Sequence, residues 1–210
     1  TQYPGLLTMG GRKYQIHGNI IRPSEENAEP GHGYMGIAYW VDVTEYDDIR
    51  IKYEDSRPVI ATIVIDNYDE LVKNHPDRIK NDLRDAVEDV ISQWCDGKDG
   101  FLRRYDRDRY VFIFEEHWLP AMKAEKFTLL EQVHSVVSPS GIHATISIGV
   151  GHDGSGFEED FQFSSLATEM ALSRGGDQAV VKNRFNFEFF GGRGNEVETR
   201  TKVKSRVMAN

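Results

Sequence analysis

Two acids and a cluster of arginines carry the chemistry in this 210-residue chain. Asp66 closes the run VIATIVID, residues 59–66, and Asp108 lies in RRYDRDRYVFIF, residues 103–114. Carboxylates at the ends of two neighbouring strands could share a hard cation such as Mg²⁺, with phosphates and waters completing its oxygen shell. The turn after Asp66 adds backbone amides at Asn67, Tyr68 and Asp69, a concavity able to cradle phosphate. Asp66, Asn67, Tyr68, Asp69 and Asp108 thus make one candidate nucleotide site, with Asp66 and Asp108 as its metal ligands. Ordinary turn carboxylates are the other reading. Arg103, Arg104, Arg107 and Arg109 could hold phosphate through charge-assisted hydrogen bonds, or they could solvate a hairpin and pair across its strands. Strand alternation places Arg103, Tyr105 and Arg107 on one face, Arg104 and Asp106 on the other. The tip Asp106–Arg109 has no glycine, whereas two-residue hairpin turns favour Asn-Gly or Asp-Gly. Such a tip uses another geometry or holds its side chains for a purpose.

Other reactive residue types lead nowhere. The seven histidines, at 17, 32, 75, 117, 134, 143 and 152, never fall three to five residues apart, so zinc-type spacing is missing. His152-Asp153 sits in a glycine-rich loop without companion ligands. GGRGN at 191–195 lacks the Lys-Ser/Thr of a phosphate loop and reads as a joint. Cys95 ends an amphipathic helix, where burial is expected rather than reactivity.

The elements that must position the acids are legible. Residues 11–22 alternate as a strand, 23–33 form a Pro/Gly/Glu loop, and Tyr34–Val41 is an apolar strand. Asp42 or Thr44 caps a helix over 45–54, and Pro58 ends it. Residues 59–66 form a buried central strand. A short helix runs through Val72. DRIKNDLRDAVEDVISQWC, residues 77–95, spaces Ile79, Leu83, Ala86, Val87, Val90, Ile91 and Trp94 by threes and fours, an amphipathic helix stopped at Gly97. The hairpin follows. KAEKFTLLEQVHSVVSP, 123–139, reads as one helix, and HATISIGVG, 143–151, as a second buried strand. FSSLATEMALSRGG, 163–176, is a helix capped by Ser164 or Ser165 and stopped at Gly175. QAVVK and FEFF are final strands, and 195–210 a polar helix. The order from residue 58 through QAVVK is βααββαβαβ, an α/β (α+β sandwich-like) arrangement with a central sheet flanked by helices.

Hydrophobic residues make up 39% of the chain and charged residues 28%, enough apolar content for a packed core. The net charge of −9 excludes a domain-wide nucleic-acid binder and disfavours anionic membrane surfaces. One cysteine excludes a disulfide framework. No run of about 18 apolar residues occurs. The first residues do not look like a natural start, and the basic C-terminal end looks interrupted, as in an excised fragment.

From residue 58 to about 190 the pattern resembles the GGDEF (nucleotidyl cyclase-like) family. Asp106 and Arg107 stand where the signature has two glycines, Asp108 keeps an acid, Arg109 replaces the second acid and Tyr110 keeps an aromatic. ATISIGVG and ATEMAL resemble the later strand and helix. The resemblance puts Val64 in place of the first strand acid, Asp66 at the second, Val72 and Asn81 at the guanine contacts, and Gly97 at the product-inhibition arginine. It therefore implies that cyclic-di-GMP synthesis is lost. A family lysine that contacts phosphate falls near Arg174, which could replace it; a helix-end arginine suited to the dipole is the other reading.

VIDNYDEL, RRYDRDRY, MALSRGGDQAVVK and FFGGRGNEVETRTKVKSRV resemble, more narrowly, the middle of GdpP/YybT-type cyclic-di-AMP phosphodiesterases, and YWVDVTEYDDI resembles the end of a PAS domain. The resemblance implies a PAS end over 1–45, a signalling helix or linker over 46–57, a degenerate GGDEF domain over 58–190, and over 191–210 a linker toward a DHH-type catalytic domain; no Asp-His-His triplet occurs here. It further implies a regulatory domain on the cytoplasmic side of a membrane-anchored parent, itself soluble and without direct membrane contact. Expected partners are a nucleotide, ATP before GTP, carried with Mg²⁺, and a second copy paired through the PAS segment and signalling helix. Feeble ATP hydrolysis at Asp108, or a structural spacer, are the alternatives.

Overall fold

In the computed structural model, residues 6–21 and 35–191 are described. The chain divides into two compact units between Glu54 and Asp55. In the first, β1 (Leu7–Met9), β2 (Arg12–Ile21) and β3 (Met35–Asp42) form an antiparallel sheet in that order, followed by α1 (Thr44–Asp55). Asp42 Oδ1 accepts from the Thr44 amide at 3.1 Å and the Thr44 hydroxyl at 2.6 Å, fixing the entry to α1. Lys13 reaches from β2 to Asp47 at 2.6 Å, and with Arg50 it holds the Asp47 carboxyl below the usual range. α1 exposes Tyr46, Ile49 and Tyr53. The loop expected over 23–33 and the joint and helix expected beyond 191 lie outside the described residues.

The second unit holds β4 (Pro58–Ile65), α2 (Tyr68–Leu71), α3 (Asp77–Cys95), the hairpin β5 (Phe101–Arg104) and β6 (Arg109–Glu115), α4 (Leu119–Ala124), α5 (Leu129–Val133), β7 (Ile146–Gly151), α6 (Phe157–Ser173), β8 (Gln178–Lys182) and β9 (Phe187–Gly191). The sheet order is β5-β6-β4-β7-β8-β9, parallel between β7 and β8 and antiparallel elsewhere. β4 lies inside this sheet and is buried from Val59 to Ile65. Alternation sends Val59, Ala61, Ile63 and Ile65 into one core with Leu83, Val87, Ile91 and Trp94 of α3 and Leu130 and Val133 of α5. Each such large aliphatic contributes about 1.5–3 kcal/mol by leaving water. α3 occupies the predicted span. Cys95 is buried there, and burial pushes its thiol up to about 12.

The other face of the sheet meets α6. A Cβ on Gly151 would lie 2.5 Å from the Ser164 amide and closer still to the Asp160 carbonyl; one on Gly149 would strike Ser164 and Thr168. These glycines let the helix approach closely enough for the Ser164 hydroxyl to donate to Gly149 O at 2.9 Å and share a 2.7 Å bond with Thr62 Oγ1. The predicted cap at Ser164 or Ser165 is therefore wrong. α6 starts at Phe157, and Ser164 is a buried residue two turns in, one of a small-residue stripe with Ala167, Thr168 and Ala171. The helix predicted over 123–139 is also corrected: Lys126 and Phe127 take positive φ, 53° and 54°, and break it between α4 and α5. The break drives Phe127 into the core, its ring 5.3 Å from Phe190 and 6.5 Å from Trp94. Aromatic burial of this kind outweighs two left-handed residues at about 1–2 kcal/mol each.

Gly151→Ala should destabilise by about 1–3 kcal/mol or more through overpacking, seen as a lower urea midpoint. Ser164→Ala should cost about 1–3 kcal/mol, because Thr62 and Gly149 lose a buried partner, and pairing it with Thr62→Val should recover part of that loss. Additive losses in the double-mutant cycle would show that the two hydroxyls are not coupled.

Candidate functional site

The strand run that buries Val64 ends one residue before Asp66, at the point where β4 meets α2 and β7 begins. Val64 is 3% exposed and offers no side-chain oxygen. Asp66 is half-buried, and its carboxylate is taken up by the protein. Thr145 Oγ1 donates to Oδ1, while Ser147 Oγ and the Asp177 amide each donate to Oδ2 at 2.8 Å. Asn67 is engaged in the same way: its Nδ2 donates to His143 O at 2.7 Å and its Oδ1 accepts from the Thr145 amide at 3.0 Å. Both residues join the end of β4 to the segment that enters β7.

The hairpin tip turns toward α2. Arg107 lies 3.2 Å from Asp69, and its guanidinium is 5.6 Å from the Tyr68 ring centre. Arg104 pairs with Glu88 of α3 at 2.7 Å. Thus two of the four arginines pair with helices, not across the strands as the hairpin reading expected. Strand alternation stops at Arg104, so Arg104 and Arg107 share an open cleft with Arg84, Tyr105 and Asp106 instead of opposing each other. The missing glycine has a plain cause. No residue from Tyr105 to Asp108 has positive φ, and Asp106 Oδ1 ties the turn by accepting from the Arg107 amide at 2.7 Å.

Asp108 is half-buried, and its carbonyl accepts from the Ile65 amide at 2.9 Å, which places it beside the end of β4. Its carboxylate makes no hydrogen bond or ion pair among the described residues. Arg174 is held elsewhere: its guanidinium lies 4.5 Å from the Phe189 ring centre and its Nε 3.3 Å from Gln178 Oε1. The structure therefore brings Tyr68, Asp69 and the hairpin tip together, ties Asp66 and Asn67 into the sheet end, and turns Arg174 toward β9. Sequence reading missed Thr145, Ser147 and Asp177 as partners of Asp66. The signal for two of them was present, since hydroxyls at i and i+2 in an otherwise apolar strand share one face.

A resident Mg²⁺ does not fit this donor set. Val64 supplies nothing, Asp66 already accepts three hydrogen bonds, and only Asp108 is left with a free carboxylate; among the described residues no three His, Cys, Asp or Glu side chains gather as a metal group. The aromatic of the signature is a core residue here. Tyr110 is fully buried, and burial, then the charge of Glu88, pushes its hydroxyl up to about 12, so it stays neutral. His152 is also internal, its Nδ1 donating to Glu116 Oε1 at 2.9 Å. No helix among the described residues is long and apolar enough to cross a membrane.

The fold has known counterparts. The active GGEEF domain of a diguanylate cyclase from Vibrio cholerae superposes with a TM-score of 0.52 at 15% identity, over 65% of this chain and 88% of that one. The GGDEF domain of DgcB from Caulobacter crescentus gives 0.53 at 16%, over 65% and 85%. In sequence, the chain is 33% identical over 180 residues to the cyclic-di-AMP phosphodiesterase GdpP of Geobacillus thermodenitrificans, covering 85% of this chain and 27% of that protein. It is 30% identical over 205 residues to GdpP of Bacillus subtilis, covering 97% and 29%. It is 33% identical to the cyclic-di-AMP phosphodiesterase PdeA of Listeria monocytogenes over 174 residues, covering 82% and 26%. The chain spans little more than a quarter of the length of these relatives. A family model described as "Cyclic-di-AMP phosphodiesterase GdpP-like, GGDEF domain" matches residues 63–189. The strand, hairpin and helix order, the solved folds and the matched span agree, and the chain belongs to the GdpP-like GGDEF-domain family of cyclic-di-AMP phosphodiesterases.

Proposed function

We propose that this domain is a regulatory nucleotide-binding module, not a diguanylate cyclase, within a membrane-anchored protein that hydrolyses cyclic-di-AMP in a separate DHH-type domain. The observation that carries the reading is the loss of the carboxylate pair at the end of β4: valine at 64 and a hydrogen-bonded aspartate at 66. A cyclase must neutralise developing phosphate charge, and two metal-bridging acids are the usual means. Without them the fold retains surfaces that can bind phosphate.

The hairpin cleft supplies the binding chemistry. Arg84, Arg104 and Arg107 line it with Tyr105 and Asp106, and Arg107 reaches on to Tyr68 and Asp69 of α2. The Arg107–Asp69 pair is exposed on both sides, so it is worth about 1 kcal/mol or less, and an incoming phosphate can exchange for the aspartate. Mg²⁺ would enter with the nucleotide, using Asp108 as its protein ligand. Val72 is buried and Asn81 exposed at the positions aligned with the guanine contacts, which favours ATP over GTP. In α1, Tyr46, Ile49 and Tyr53 stand exposed at spacings of three and four, which supports pairing of two copies through this helix beside a PAS-type segment.

Calorimetry with ATP, GTP, cyclic-di-GMP and cyclic-di-AMP tests the reading. ATP should bind more tightly than GTP, and Arg107→Ala should weaken it by about five- to tenfold, about 1–1.4 kcal/mol. Incubation with GTP and Mg²⁺ should give no cyclic dinucleotide. Heatless titrations with all four ligands, or steady cyclic-di-GMP production, would overturn it.

A second reading, slow Mg²⁺-dependent ATP hydrolysis, is favoured by the unpaired Asp108 carboxylate. In that case phosphate release at saturating ATP should fall at least tenfold in Asp108→Ala. Release that does not follow the substitution would exclude it.

A further inference from the structure

We infer that the loop between α6 and β8 is a built-in latch, which withholds the Asp66 carboxylate from cations by occupying it with a backbone amide. The inference is independent of the nucleotide reading. Gly175, Gly176 and Asp177 hold positive φ in succession, at 105°, 75° and 54°. Glycine does this freely, and aspartate tolerates it better than most residues. The result is delivery of the Asp177 amide to Asp66 Oδ2 at 2.8 Å. Gly176 passes so close that a Cβ there would meet Asp66 Oδ2 at 2.5 Å and its Cγ at 2.9 Å.

What enforces the conformation is a closed circuit of hydrogen bonds. The Asp177 carboxylate accepts from His134 Nε2 at 2.8 Å, just past the end of α5. The His134 carbonyl accepts from His143 Nδ1 at 2.7 Å. The His143 carbonyl accepts from Asn67 Nδ2 at 2.7 Å, and Asn67 follows Asp66 in the chain. The path from Asp66 through Asp177, His134, His143 and Asn67 returns to its start, joining the end of β4, the stretch between α5 and β7, and the loop after α6. Asp66 is its hub, accepting also from Thr145 and Ser147.

A carboxylate has about four lone-pair positions. Three are filled here, by the Thr145 and Ser147 hydroxyls and the Asp177 amide. Opening the latch removes one donor and leaves Oδ2 with Ser147 alone, so that one of its positions is open to a cation beside the half-buried Asp108. The loop thereby controls whether this strand end can present an acid.

The test uses the whole chain with Mg²⁺ alone as the probe, followed by calorimetry and thermal melting. Asp66→Asn should lower the melting temperature by about 5–10 °C, since the hub loses its charge-assisted acceptor, and should leave the weak Mg²⁺ response of the parent unchanged. Gly176→Ala, which forces the loop off Asp66, should tighten Mg²⁺ binding by about tenfold, and adding Asp66→Asn should abolish the gain. Should Gly176→Ala fail to fold, His134→Ala removes the support of Asp177 without touching Asp66 and should give the same gain in smaller measure. A parent that binds Mg²⁺ tightly and loses it in Asp66→Asn would overturn the latch. So would an Asp66→Asn variant as stable as the parent, or latch variants with unchanged Mg²⁺ affinity.

Discussion

A carboxylate placed one residue beyond a strand buried on both faces has to be satisfied by the protein around it. An unpaired charge at such a place costs several kcal/mol, so donors must come to it. Asp66 stands at that place, and Thr145, Ser147 and the Asp177 amide come to it. Much of the second unit is arranged accordingly. Thr145 just before β7 and Ser147 within it supply hydroxyls, the loop after α6 adopts three left-handed residues, and Asn67 secures the segment that enters β7. Burial of β4 is the cause, and the polar network at its end follows from it.

That burial rests in turn on the closeness of α6. Gly149 and Gly151 remove side chains from β7, and Ser164, Ala167, Thr168 and Ala171 keep the facing side of the helix small. The Thr62–Ser164–Gly149 bonds then lie in a dry interface, where each donor has its acceptor. On the opposite face the sheet meets large residues of α3 and α5. The two sides of one strand are thus packed by opposite means, close backbone approach on one and bulky side chains on the other.

The readable parts of the sequence were those governed by period. α3 shows its apolar residues at threes and fours, and its bounds fall where the pattern begins and ends. β4 and β7 show as unbroken apolar runs. The parts that escaped depend on distant partners. The start of α6 is hidden because Phe157–Phe163 mixes acids and aromatics without a clear stripe, and the serines that look like caps are core residues. The turn at Lys126 and Phe127 carries no glycine to announce it, and only the aromatic pocket formed by Trp94 and Phe190 explains it. The candidate site was half legible. Its acids and arginines could be found, but the donors to Asp66 lie 79, 81 and 111 positions away, and local pattern does not record such distances.

The hairpin tip shows how the side chains at one end of the sheet are set apart from the strands that carry them. From Tyr105 to Asp108 no backbone angle demands glycine, and the strands on either side are held by register with β4 and α3 contacts. Of the tip side chains, Asp106 serves the turn itself, by accepting from the Arg107 amide. The tip is a cartridge seated on a mount fixed by strand pairing, so side chains there can be exchanged while the strands keep their register.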